Sequence, residues 1–268
     1  MSLRIASIVA VAFASLLASC ASPYEKFYRG QEDARKLPYY DPTQTGLNVS
    51  YSNNVDRDIH AAMRHGYIPI GESAFHGNMN QAKESGLRAQ AQKVGATLVI
   101  VASKQTGTET GAVPLVLPNN STTYSSGSAT AYGPGGMATA YGSSTSTTYG
   151  TQTMMLPYTI HLGQFDAVYL VKTKMRTGLI PREVPEDIKH SRQSNFGVQV
   201  FEVAEGTAAY QADIMAGDIV VSVGGQRVES VPQYGTLLDK FGGTTTTFVL
   251  DRDGKSLEKQ LFVKTLSQ

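Results

Sequence analysis

With 268 residues, a formal net charge of +1 and 17% charged residues, the chain is long enough for one large domain or two small ones. It offers no electrostatic argument for a nucleic-acid partner or an acidic substrate. It holds one cysteine and no tryptophan, so disulfides cannot staple it even in an oxidising compartment.

Residues 1–19 read as a leader rather than as part of a fold. Arg4 supplies a short basic start, and the apolar run "IASIVAVAFASLLA" is too short to cross a bilayer as a permanent helix. The run closes on Leu17-Ala18-Ser19-Cys20. This stretch resembles the lipobox of a bacterial lipoprotein precursor. The resemblance implies a signal peptide cleaved before Cys20, lipidation of Cys20 with diacylglyceryl and palmitate chains, and durable anchoring, because two buried chains hold far better than one. Ala21, rather than Asp, follows the cysteine, which on this resemblance favours the outer membrane facing the periplasm. An ordinary secretory signal with a chance cysteine is the alternative.

Residues 20–55 are rich in turn formers and tyrosines with no sustained period, and read as a tether with one short helical piece around Glu32–Lys36. A small α+β domain is expected over 56–176. "HGYIPIGESAF" reads as a strand entering a turn. "NMNQAKESGLRAQAQKVGA" reads as a helix capped by Asn78 or Asn80, with Met79, Ala82, Leu87, Ala91 and Val94 near one face and Gly95 at its end. "TLVIVAS" is a continuous apolar strand of the kind buried on both faces, and Asp166–Lys172 is strand-like. The "A-x-x-x-G-A-x-x-V" run from Ala91 to Val99 is similar to small bacterial envelope proteins in which a helix feeds a central strand. Inside this domain lies a low-complexity insertion, 119–153. Alternating Thr, Ser and Tyr flank Gly133-Pro134-Gly135-Gly136, and Tyr124, Tyr132, Tyr141 and Tyr149 recur at even spacing. The insertion is either a projecting β-arm that touches a partner or a disordered Gly/Ser/Thr loop. As a flat arm it is prone to edge pairing.

After a linker over 177–193, the stretch "GDIVVSVGGQRV" decides the nature of residues 194–268. A phosphate cradle needs glycines leading into a helix, whereas "QRVESV" continues as strand. Gly224-Gly225 is therefore a hairpin turn. Read outward, "NFGVQVFEV", "GTAAYQADIMAGD", "IVVSVGGQRV", "SVPQYGTLLDKFGG" and "TTTFVLDRDGKSLEKQLFV" together resemble a bacterial PDZ domain, similar to that of high-temperature-requirement proteases. The resemblance implies a β-sandwich with two helices and a groove for protein C-termini or extended peptides. It implies a carboxylate loop at Asn195, Phe196 and Gly197, an edge strand with Val198 and Val200, and groove contacts from Gln233, Leu237 and Phe241 on the helix. Asn195 and Ala212-Asp213-Ile214 depart from the usual loop and Ala-Gly-Leu positions.

Protease chemistry needs a nucleophilic serine loop with a base and an orienting carboxylate, and neither G-x-S-x-G nor G-N-S-G-G occurs. The five histidines are scattered without metal-ligand spacing, and Asp251–Gly254 reads as a turn rather than a calcium loop. No catalytic residue, metal or cofactor is expected. The expected function is that of a lipid-anchored bacterial envelope protein that binds peptides as a scaffold or recruitment factor, with the membrane reached through its lipid. The alternative is a structural or surface lipoprotein that makes its contacts through the tyrosine-rich arm.

Overall fold

The computed structural model describes residues 21–266. The leader, with Cys20, lies outside the described residues. The chain is α+β. Its first part comprises α1 (Pro23–Lys26), β1 (Tyr28–Gly30), β2 (Asn48–Tyr51), α2 (Val55–Arg64), β3 (Tyr67–Asn78), α3 (Glu84–Val94), β4 (Leu98–Gly133) and β5 (Gly136–Lys172). The strands form one sheet in the order β1-β3-β5-β4-β2.

The bases of β4 and β5 are covered on both faces, which fits the continuous apolar runs Leu98–Val101 and Ala167–Val171. Val99, Val101, Ala167, Tyr169 and Val171 pack with Leu87, Ala91 and Val94 of α3, while Ile100 and Leu170 pack with Ala62 of α2. α3 ends at Gly95, whose φ of 73° closes the helix in the left-handed conformation. Its start differs from expectation. Asn78 ends β3 and its Oδ1 accepts from the Asn80 N–H at 2.9 Å, so these residues make a turn and the helix begins only at Glu84. Met79 and Ala82 pack on the core from that turn.

Most of the span expected as a tether is built into the domain. β2 runs parallel to β4, Asn48 opposite Leu98 through Tyr51 opposite Val101, and β1 pairs antiparallel with β3. Tyr24 and Ala34 are buried. A tether has no apolar surface to hide, whereas these side chains complete the core, and backbone pairing satisfies the strands between them.

Residues Thr106–Leu162 form a compact unit by themselves. They make an antiparallel two-stranded ribbon turned at Pro134-Gly135, longer at both ends than the insertion expected over 119–153.

The second part comprises β6 (Leu179–Glu183), α4 (Glu186–Arg192), β7 (Val198–Val203), α5 (Ala208–Gln211), β8 (Ile219–Val223), β9 (Gln226–Arg227), α6 (Val231–Lys240), β10 (Thr245–Arg252) and β11 (Lys255–Phe262). Its sheet runs β11-β10-β8-β7-β6, with β9 on β8. Both hairpin turns place two successive residues at positive φ, Gly224 and Gly225 at 59° and 74°, Asp253 and Gly254 at 52° and 79°. That is the backbone a two-residue hairpin demands. The core gathers Val198, Val200, Val220, Phe248, Leu250 and Leu261. The module begins at Leu179 rather than at 194, because β6, within the expected linker, pairs along β7 from Leu179 opposite Val203 to Glu183 opposite Val198.

Candidate peptide-binding groove

β6 is the last strand of its sheet, hydrogen-bonded to β7 on one side only. Among the described residues no strand occupies its other side. There α6 crosses, and a cavity of about 520 Å³ opens between the two elements. From the helix, Val231, Tyr234, Gly235, Leu238 and Asp239 line it, spaced one and two turns apart so that they form a single stripe. From the strand come Leu179, Ile180 and Pro181, and from the segment before it Lys174, Arg176 and Thr177. Met63, Ile68, Pro69 and Tyr39 of the first part supply a further wall.

Ser230 holds the helix in place: its Oγ accepts from the Gln233 N–H at 3.4 Å, and Pro232 sits in the first turn, where it gives up no bond. Tyr234 lies within hydrogen-bonding distance of the Thr177 hydroxyl, 3.4 Å oxygen to oxygen. Burial pushes the Tyr234 phenol up to about 12, so it stays protonated at physiological pH. Arg176 pairs with Asp239 across the mouth of the groove. Pro181 has no N–H to offer a neighbouring strand, a usual guard against indiscriminate addition at an edge.

A slot between an edge strand and a helix can take an extended peptide as an added strand. Residues 199–252 match the family model of the PDZ domain. The C-terminal module is thus a PDZ domain, a binding module. Among solved structures, the chain is similar to an HtrA-type protease, a variant of AlgW with decapeptide, at 13% identity and a TM-score of 0.31 over 36% of this chain. It spans 36% of the length of that protease. It is also similar to the HtrA3 PDZ domain bound to a phage-derived ligand, FGRWV, at 19% identity and a TM-score of 0.30 over 33% of this chain and 84% of that one. No curated protein matches the chain.

Within this PDZ domain the residues expected to bind peptide fall one strand and one helical step away from the groove. Val198 and Val200 lie in β7, flanked by β6 and β8, and are 0% and 1% exposed. They are core. The Gly197 N–H, expected to face a carboxylate, donates to the Val228 carbonyl at 2.8 Å. Gly197 is required for close packing instead: at its φ of 105°, a Cβ would stand 2.6 Å from the Ile219 side chain. Asn195 is exposed, and the Phe196 ring is capped by the Arg227 guanidinium 4.0 Å from its centroid. On α6, Leu237 points into the core. The Gln233 Oε1 accepts from the Glu229 N–H at 2.5 Å, and Phe241 covers Gly224. None of these residues lines the cavity. The groove-forming strand was hidden in "TGLIPREVP", where two prolines and two charges mimic a linker. Its readable signal was Gly178 followed directly by Leu179-Ile180.

Proposed function

We propose that this chain is a lipid-anchored cell-envelope protein whose PDZ domain takes protein C-termini or extended segments into the β6–α6 groove, serving as a scaffold or recruitment factor. The observation that carries the peptide reading is the free edge of β6 facing α6 across an apolar cavity. A guest strand laid there gains main-chain hydrogen bonds from the edge, and its alternate side chains enter the slot beside Leu179, Val231 and Leu238. The stretch Thr177–Gly178, where Gly178 holds a positive φ just before β6, is where a terminal carboxylate would sit. The wall from Met63, Ile68 and Pro69 narrows the choice of last residue to one of moderate bulk.

Gly235 provides the direct test. It sits inside a helix, lines the groove, and a Cβ built on it meets nothing within 4 Å. Gly235→Phe should therefore fill the slot without straining the fold, and replacing a mid-helix glycine favours the helix. The expected result is an unchanged or higher melting temperature with peptide binding weakened at least tenfold, or about 1.4 kcal/mol. A folded Gly235→Phe protein that binds the same peptides with the wild-type Kd rules out this groove.

The anchor, at the periplasmic face of the outer membrane, rests on Leu17-Ala18-Ser19-Cys20 with Ala21 after it. Cys20→Ala should move the protein from the membrane fraction to the soluble one. Unchanged fractionation would remove the anchor from the proposal.

A further inference from the structure

Among the described residues no strand besides β3 and β2 flanks β5 and β4, which form the ribbon Thr106–Leu162, and a two-stranded hairpin alone is marginal in water. One register runs its whole length. Thr122 meets Thr147, Ser125 meets Ser144 and Thr130 meets Thr139 through their hydroxyls, and Thr108 meets His161 near the base. In an antiparallel ribbon closed by a two-residue turn, the residues flanking the turn exchange both backbone bonds, and bonded pairs alternate with unbonded ones. The flanking residues are Gly133 and Gly136. Even-numbered residues of β4 and odd-numbered residues of β5 therefore turn their N–H and C=O groups outward, to the free edges.

Three prolines in the lower half, Pro114, Pro118 and Pro157, all fall on these outward positions, where they take no bond from the ribbon and block a neighbouring strand. Above them, residues 119–150 hold no proline outside the turn, and from Thr110 to Phe165 there is no Asp, Glu, Lys or Arg. The same parity sorts the side chains. Tyr124, Tyr132, Tyr141 and Tyr149 share one face, 78–84% exposed, and the opposite face over that span carries only Asn, Gly, Ala, Ser and Thr. Edges that are guarded below and open above, on a segment without charge to repel its own kind, fit one occupant best: the same segment of another molecule.

We propose that copies of this chain associate edge to edge through residues 119–150, adding ribbon to ribbon into a larger antiparallel sheet with tyrosines on one face. Pairing of outward residues with outward residues keeps every side chain on its face, and pairing of like edges makes the contact self-complementary and two-fold. This association is independent of the PDZ groove, and it would present several grooves on one assembly.

Sedimentation velocity of the full chain in non-ionic detergent, at rising protein concentration, tests the proposal. Wild type should shift to larger species. Thr122→Pro with Thr147→Pro, which extends the proline guard to both upper edges, should stay monomeric. Thr122→Lys with Ser143→Lys leaves every backbone donor in place; it should be monomeric at low salt and recover association at high salt, as screening removes the repulsion. A wild type that remains monomeric at every concentration, including one that instead binds an unrelated protein through the ribbon, overturns the proposal. So does association that both variant pairs leave unchanged.

Discussion

Replacing Asp218 by alanine is expected to destabilise the PDZ domain by about 1–3 kcal/mol, the usual consequence of removing a buried hydrogen-bonding partner. The carboxylate is 2% exposed. Its Oδ1 accepts from Arg252 Nε at 2.6 Å, and its Oδ2 accepts from Arg252 Nη2 at 2.7 Å and from the Met215 N–H at 2.9 Å. Arg252 also donates to the Asp213 carbonyl at 2.8 Å. A two-pronged pair of this kind is stronger than a single contact. It ties the loop before β8, where Asp213 holds a φ of 56°, to the end of β10. Without the carboxylate, the Arg252 side chain, about a quarter exposed, keeps only the more distant Asp213 carboxylate at 3.9 Å, and the Met215 N–H loses its acceptor. Thermal melts should fall by roughly 10 °C. Asp218→Asn keeps the shape and one acceptor, and should fall by less. Equal melting temperatures for wild type and Asp218→Ala would show that the pair does not hold this loop.

Gly178→Val should damage stability and binding together. Gly178 stands at φ 97°, and a Cβ there would lie 1.9 Å from Thr207 Oγ1. Thr207 cannot step aside freely, since its hydroxyl donates to the Ala204 carbonyl at 2.6 Å and accepts from the Tyr210 N–H at the start of α5. The Gly178 carbonyl itself accepts from the Ala204 N–H at 2.8 Å. A β-branched residue at positive φ adds strain of about 1–3 kcal/mol, and overpacking adds about as much again. The chain must yield at the point where it enters β6, so the groove loses its edge. The expected outcome is a loss of about 2–6 kcal/mol in urea melts and no measurable peptide binding. Gly178→Ala with Thr207→Ala should recover the steric part and leave the φ penalty. Wild-type peptide affinity in Gly178→Val would detach β6 from the site.

The two hairpin turns of the PDZ domain were legible because positive φ at two successive positions restricts the residue types to glycine and a few others, and Gly224-Gly225 and Asp253-Gly254 announce them. The left-handed stop at Gly95 was legible for the same reason. β6 was not, since Pro181 and Pro185 carry the chemistry of a connection and only pairing with β7 makes it a strand. "GVQV" has the pattern of a groove strand but lies one place further into the sheet than β6. On the helix, the cavity is lined by Tyr234 and Leu238, each one residue beyond Gln233 and Leu237. α2 carries a signal in the sequence as well: Asn54 caps it by accepting from the Arg57 N–H, and Val55, Ile59, Ala62 and Met63 recur at helical spacing. For the ribbon, composition left strand and loop equally open, and only cross-strand register separates them.

Amide chemical-shift mapping of the full chain, titrated with a C-terminal peptide selected from a random library, tests the groove most directly. The account predicts perturbations along Thr177–Glu183 and across Val231, Tyr234, Gly235 and Leu238. Perturbations confined to Phe196–Val203, or none for any selected peptide, would contradict it.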